Sequence, residues 1–294
     1  MSIVSVAEAV PNRLLAIYGA LLARSGGETR ERLKAQMVPP SLRGGRDNQS
    51  TAVFDASLRE ARAIGLVTED SDSLTVPPEA YPKPRQGEEE AFRAHVLRVL
   101  CDEALAEETG QSKVAPAIAW LLMQDPLRPL PWSENPLPIL TRQLVDGDTL
   151  DLGNASRLQT LAYWARYLGF ARLVGAGQLY IVPDPHDAIE RFLPSVFNIG
   201  QTLRASEFRR RLADVCPLLE SGSVRARVEQ QARDEVGSLH SQRLSRSTSL
   251  ALIRLESCGK IELQKPSDAE VILLDLGTSV RRFSHVAFKS KGRS

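Results

Sequence analysis

From Leu161 to Pro185 the chain reads LAYWARYLGFARLVGAGQLYIVPDP. Its first eight residues suit a helix, Gly169 stops it, and two β-favouring runs, Ala171 to Val174 and Leu179 to Val182, flank a Gly-Ala-Gly turn. The same arrangement occurs in SLREARAIGLVTEDSDSLTVPP from Ser57 and in ALIRLESCGKIELQKPSDAEVILLDLG from Ala251. Superposed on Gly65, Gly169 and Gly259, the residues seven earlier are Leu58, Ala162 and Leu252, and those four earlier are Ala61, Ala165 and Leu255. Those offsets share one helical face, so each stretch predicts a helix that buries it. Each Gly then falls where a helix ends in the left-handed conformation, which Gly adopts without steric cost. The hairpins are expected from Leu66-Val67 with Leu74 to Val76, from the two runs already named, and from Ile261 to Leu263 with Val271 to Leu274.

Further amphipathic segments precede these units: Asn12 to Arg24 and Thr29 to Met37 before the first, Ser206 to Val215 and Val224 to Ala232 before the third. Helix, helix, helix, hairpin resembles the winged-helix form of the helix-turn-helix, on a loose L-x2-L-x3-G pattern present in three copies. The resemblance implies a mainly α protein with small β-hairpin wings, three winged-helix-like modules in tandem. Their bounds are 1–86, 87–185 with a linking helix, and 186–294. The segment 86–110 reads as that link, and DPLRPLPWSENPLP from Asp125 as a Pro-stiffened loop.

Composition fits two or three domains of a soluble globular protein: 294 residues, 43% hydrophobic and 25% charged. Apolar runs such as Ala117 to Met123 are far short of the ~20 residues that cross a bilayer, and the N-terminus lacks the pattern of a secretory signal, so no membrane contact and a cytoplasmic location are expected. Cys101, Cys216 and Cys258 are widely spaced, which argues for reduced, mostly buried thiols rather than disulfides or zinc. The net charge of +1 hides an asymmetry: +1 over 1–86, −5 over 87–185 and +5 over 186–294. A polyanionic partner would meet the last third.

In the winged-helix family the third helix often enters the major groove and the wing lies near the backbone. Carried onto the third unit, that puts Arg246, Ser247 and Ser249 on the groove face, with Arg243 ahead of the helix and Arg281 and Arg282 after the wing. Leu250 and Ile253 fall on the same face, which suits packing on a neighbouring module; a plainer reading of Ser245 to Ser249 is a helix start. The second unit offers Arg157 and Gln159 among Ser156, Thr160 and Tyr163, in acidic surroundings. In the first, Arg43 and Arg46 stand in a basic loop, and Asp55 on the helix argues against tight base reading. Trp120 reads as core, Trp132 as loop packing, and Arg209 to Arg211 as a solvated face.

Phosphate-loop and dinucleotide motifs, clustered carboxylates for metal ions and a nucleophile set are all missing from the sequence, so the expectation is no enzyme, no cofactor, no metal and no small-molecule substrate. The opening SIVSVAEAVPNRLLAIYGALLARSG, the LREARAIGLVTED unit and the overall length are similar to the DpdG family, accessory proteins of bacterial gene clusters that modify DNA with 7-deazaguanine derivatives and restrict unmodified DNA. That resemblance implies a defence-system component with no catalytic motif to carry over. Two function classes follow: a DNA-binding adaptor with protein partners from the same system, or a protein-interaction scaffold that assembles with an ATPase or helicase.

Overall fold

The structure, a computed structural model, describes residues 2–24, 26–39, 47–146, 150–198, 200–233, 242–265 and 270–289. Arg43 and Arg46 lie outside them. The chain divides into two compact units, Met1–Val114 and Ala115–Ser294. It is mainly helical with small antiparallel sheets. Among the described residues no helix is long and apolar enough to cross a membrane.

The first unit begins with α1 (Pro11–Leu22), β1 (Glu28–Thr29) and α2 (Arg30–Met37), followed by α3 (Asp47–Ala63), β2 (Thr68–Asp70) and β3 (Ser73–Thr75). Thr29 caps α2 by accepting the Arg32 N–H, the role that short hydroxyls fill at a helix start. The strands form one sheet in the order β1-β3-β2. Leu58 and Ala61 of α3 are buried, with Leu14, Leu33, Phe54 and Leu74. Then α4 (Glu88–Cys101), read above as a link, packs on α1 through Tyr18 and Phe92, whose ring centroids lie 5.8 Å apart. A short α5 (Glu103–Glu108) follows, and the Gln111 side chain accepts the Ile3 N–H at 2.9 Å, closing the unit on its own N-terminus.

In the second unit a similar order occurs twice, the second time with one more helix and a further pair of strands. First come α6 (Val114–Met123), β4 (Leu130–Pro131), α7 (Leu137–Gln143), α8 (Ala155–Leu168), β5 (Ala171–Val174) and β6 (Tyr180–Pro183), with sheet order β4-β6-β5. The Pro-rich segment from Asp125 is therefore more than a loop, since it supplies β4. Next come α9 (His186–Val196), β7 (Thr202–Arg204), α10 (Ala205–Val215), α11 (Ser223–Gln230), α12 (Arg246–Ser257) and β8 (Ile261–Gln264).

Here the expected third hairpin is corrected. Ile261–Gln264 does not pair with the run after it; its partner is β11 (His285–Phe288), in the order β7-β11-β8. Between them, β9 (Ile272–Asp275) and β10 (Val280–Phe283) pair with each other as a separate ribbon. Both strands alternate inward and outward, so the sequence pattern could not say which pairs with which.

All three Gly-stopped helices end in the same way. Gly65, Gly169 and Gly259 have φ of +66°, +86° and +67°. The next N–H reaches back five residues, Leu66 to Ala61 at 2.9 Å, Phe170 to Ala165 at 2.7 Å and Lys260 to Leu255 at 2.9 Å. This closure satisfies a carbonyl that the helix end would leave bare.

Candidate functional site

α12 bears three of the residues expected to meet a nucleic acid, Arg246, Ser247 and Ser249, and its first turn is enclosed. Ser245 caps it by accepting the Thr248 N–H, so the plainer reading of that stretch holds locally. The Ser247 hydroxyl donates to Leu122 O at 2.7 Å, satisfying a carbonyl at the end of α6, and the Thr248 hydroxyl donates to buried Glu220 at 2.8 Å. Ser249 accepts the Asp275 N–H at 2.8 Å. Ser247 is 2% exposed and Ser249 0%. Leu250 and Ile253 are half-buried.

The β9–β10 ribbon lies along this helix. Leu244 N–H donates to Leu273 O at 2.9 Å, and Leu273 N–H to Gln242 O at 2.7 Å. Ile272, Leu274 and Phe283 of the ribbon are buried. Its carboxylate, Asp275, takes Arg243 at 2.8 Å and Arg246 at 3.4 Å; Arg246 also pairs with Asp125. Burial alone would raise the Asp275 carboxyl, but the Gly277 N–H and the two guanidinia outweigh it and hold the group below the ordinary range. Arg281 pairs with Glu256, whose carboxyl that guanidinium holds low, and Arg282 is exposed on β10. Further along, Arg254 and Arg172 share Asp184, and Lys260 meets Glu190 at 2.5 Å.

In the preceding repeat, Arg157 pairs with Asp151, and its N–H is taken by Asn154, the cap of α8. Gln159 donates to Trp132 O at 3.2 Å. The Trp132 ring meets Tyr163 edge-on at 5.2 Å, and the Trp132 backbone N–H donates to Leu179 O at 2.8 Å. Tyr163 is 42% exposed, Leu179 38% and Val174 43%. In the first repeat, Asp55 pairs with Arg30 at 3.0 Å. The structure thus gathers Arg243, Arg246 and Ser249 on Asp275, sets Arg281 on Glu256, and leaves Arg157 and Gln159 on a different helix. Arg209 to Arg211 includes two intrahelical pairs, Arg210 and Arg211 with Glu207, which push that carboxyl down to about 2.

A family profile described as DpdG-like matches residues 1–269. The chain belongs to the DpdG-like family. That match runs through all three Gly-stopped helices and ends ahead of β9. No curated protein and no solved structure matches the chain.

Two features of this DpdG-like chain escaped the sequence reading. Arg225 is 2% exposed; it donates to Glu229 at 2.6 Å and to Ala119 O at 3.1 Å, joining α11 to α6. An Arg and Glu four apart usually signal a solvated face. The other is Asp275, whose role requires a ribbon that the periodicity did not reveal. Of the thiols, Cys216 is buried as expected and Cys258 is exposed instead.

Proposed function

We propose that this chain is a non-catalytic adaptor of the Dpd DNA-modification system, built of three winged-helix modules that work chiefly through protein contacts. Family membership supports the system. The winged-helix reading draws on the recurrence of a similar element order and the sheet orders β1-β3-β2, β4-β6-β5 and β7-β11-β8. One observation favours protein contacts over groove reading: the first turn of α12 is enclosed by α6 and the β9–β10 ribbon, and its arginines are bound to carboxylates of the same chain. A helix so placed serves as a strut between modules. Direct DNA contact is the second reading, favoured by the +5 charge of residues 186–294 and by exposed Arg282.

Isolation of the tagged chain from cells that carry the rest of its gene cluster tests the choice. The adaptor reading expects a stoichiometric protein complex that survives nuclease. A complex that collapses with nuclease, together with duplex binding that falls steeply with salt, would overturn it.

A further inference from the structure

We infer that the open face of α8 in the second repeat receives an extended or hairpin segment of a partner protein, apolar at alternate positions and carrying a carboxylate opposite Arg166. The inference comes from comparing equivalent positions around the three glycine stops. Three residues before each Gly stand Arg62, Arg166 and Glu256. Arg62 pairs at 2.5 Å with Glu69 of its own hairpin, and Glu256 pairs with Arg281 of the β9–β10 ribbon. Arg166 is exposed and has no ion pair among the described residues. Its own hairpin, 171–183, contains no carboxylate, and the one cation there, Arg172, is engaged by Asp184 at 2.8 Å and Asp187 at 3.5 Å.

The third repeat shows what covers such a face. There a two-stranded ribbon lies along the helix, burying Ile272, Leu274 and Phe283, and its Arg281 answers Glu256. In the second repeat the hairpin turn is short, from Val174 to Tyr180, and nothing is inserted. The face instead carries exposed Tyr163 edge-on against half-buried Trp132, aromatic anchors of the kind that dominate protein interfaces. The sign of the charge is reversed, Arg166 in place of Glu256, so the complementary segment is acidic where the ribbon is basic. Phosphates would need several cations here, and beside Arg166 the hairpin offers Arg172 alone, already engaged by Asp184 and Asp187.

This rests on the adaptor reading, and its test separates the two. The probe is a cyclised hairpin peptide of residues 272–283 in two forms, native and Arg281→Glu, added to the full chain. Trp132 fluorescence reports binding, since Trp120 and Trp164 are buried. The Arg281→Glu peptide should bind on the order of tenfold tighter than the native one, and the Arg166→Glu protein should reverse that order. Tyr163→Ala should weaken the preferred peptide by a similar factor. Any of these results would overturn the inference: no change in Trp132 with either peptide; affinities that ignore Arg166; oligonucleotide binding lost with Tyr163→Ala and Arg166→Glu; or a concentration-dependent dimer of the chain abolished by Tyr163→Glu. A partner complex that persists in the Tyr163→Ala, Arg166→Glu double variant would remove this face and leave the adaptor reading standing.

Discussion

Gly169 and Gly259 share the left-handed conformation but not the surroundings. A methyl group built on Gly259 meets nothing, whereas on Gly169 it would lie 2.9 Å from the Ala188 backbone nitrogen and close to the Arg191 guanidinium. Gly259→Ala should therefore cost about 1 kcal/mol, the strain of a positive φ, and Gly169→Ala ~1–3 kcal/mol more for overpacking. Equal losses in urea melts would contradict the packing described. His95 gives a second residue-scale prediction. Its ring is buried, Nε2 donates to Ile64 O at 2.8 Å, and Nδ1 faces Arg98 at 3.3 Å. Burial, with Arg98 and against the Ile64 bond and Glu79, lowers its pKa below 6.5. The folded state thus binds the proton less readily than the unfolded state. Its contribution is complete above pH 6.5 and is lost as pH falls through the window below it. Between pH 7 and pH 5.5 the urea midpoint should drop more in the native chain than in His95→Gln; parallel profiles would remove His95 as the cause. The glycine stops were legible because Gly at a helix end has a local steric cause. His95 was not, since its carbonyl partner lies 31 residues away.

At the scale of elements, the helices were the most legible: α1, α2, α10 and α11 fall where apolar residues recur at helical spacing. The hairpin after Gly169 was equally plain, because a short turn joins its strands; after Gly65 a hairpin also forms, but its first strand is Thr68–Asp70 rather than Leu66-Val67, both of which are buried. The β9–β10 ribbon was hidden, since its insertion separates β8 from its partner β11 by 20 residues between strands. Its hold on α12 is testable at Ser249. The Asp275 N–H has that hydroxyl as acceptor at 2.8 Å, so Ser249→Ala leaves a part-buried donor without it and should cost ~1–3 kcal/mol. Increased hydrogen exchange should appear in residues 272–283. A neutral effect on stability with unchanged exchange would mean that the ribbon is not held there.

Across the whole molecule, the division after Val114 separates two units with their own cores. A 1–114 fragment should unfold cooperatively by itself. A 1–185 fragment should not be stable beyond that first unit, because it loses Arg225, Ser247 and Arg254, which satisfy Ala119 O, Leu122 O and Asp184 in the second repeat. Cooperative unfolding of 115–185 within the longer fragment, seen as protected amides in hydrogen exchange, would contradict this. The three Gly-stopped helices and the charge asymmetry were visible in the sequence; which charges answer one another was not, since Asp125, Asp184 and Asp275 meet their arginines only through the fold.

That pairing is the centre of the account, and one measurement reaches it: thermal melting and duplex-DNA titration over salt of the Arg243→Ala, Arg246→Ala double variant. Both guanidinia are partly exposed, so removing them should cost about 1–2 kcal/mol and lower the melting temperature by a few degrees, with DNA affinity and its salt slope unchanged. An unchanged melting temperature, with affinity reduced for all sequences and the log-log salt slope lower by ~0.9 for each lost contact, would show that these arginines serve phosphates rather than the strut.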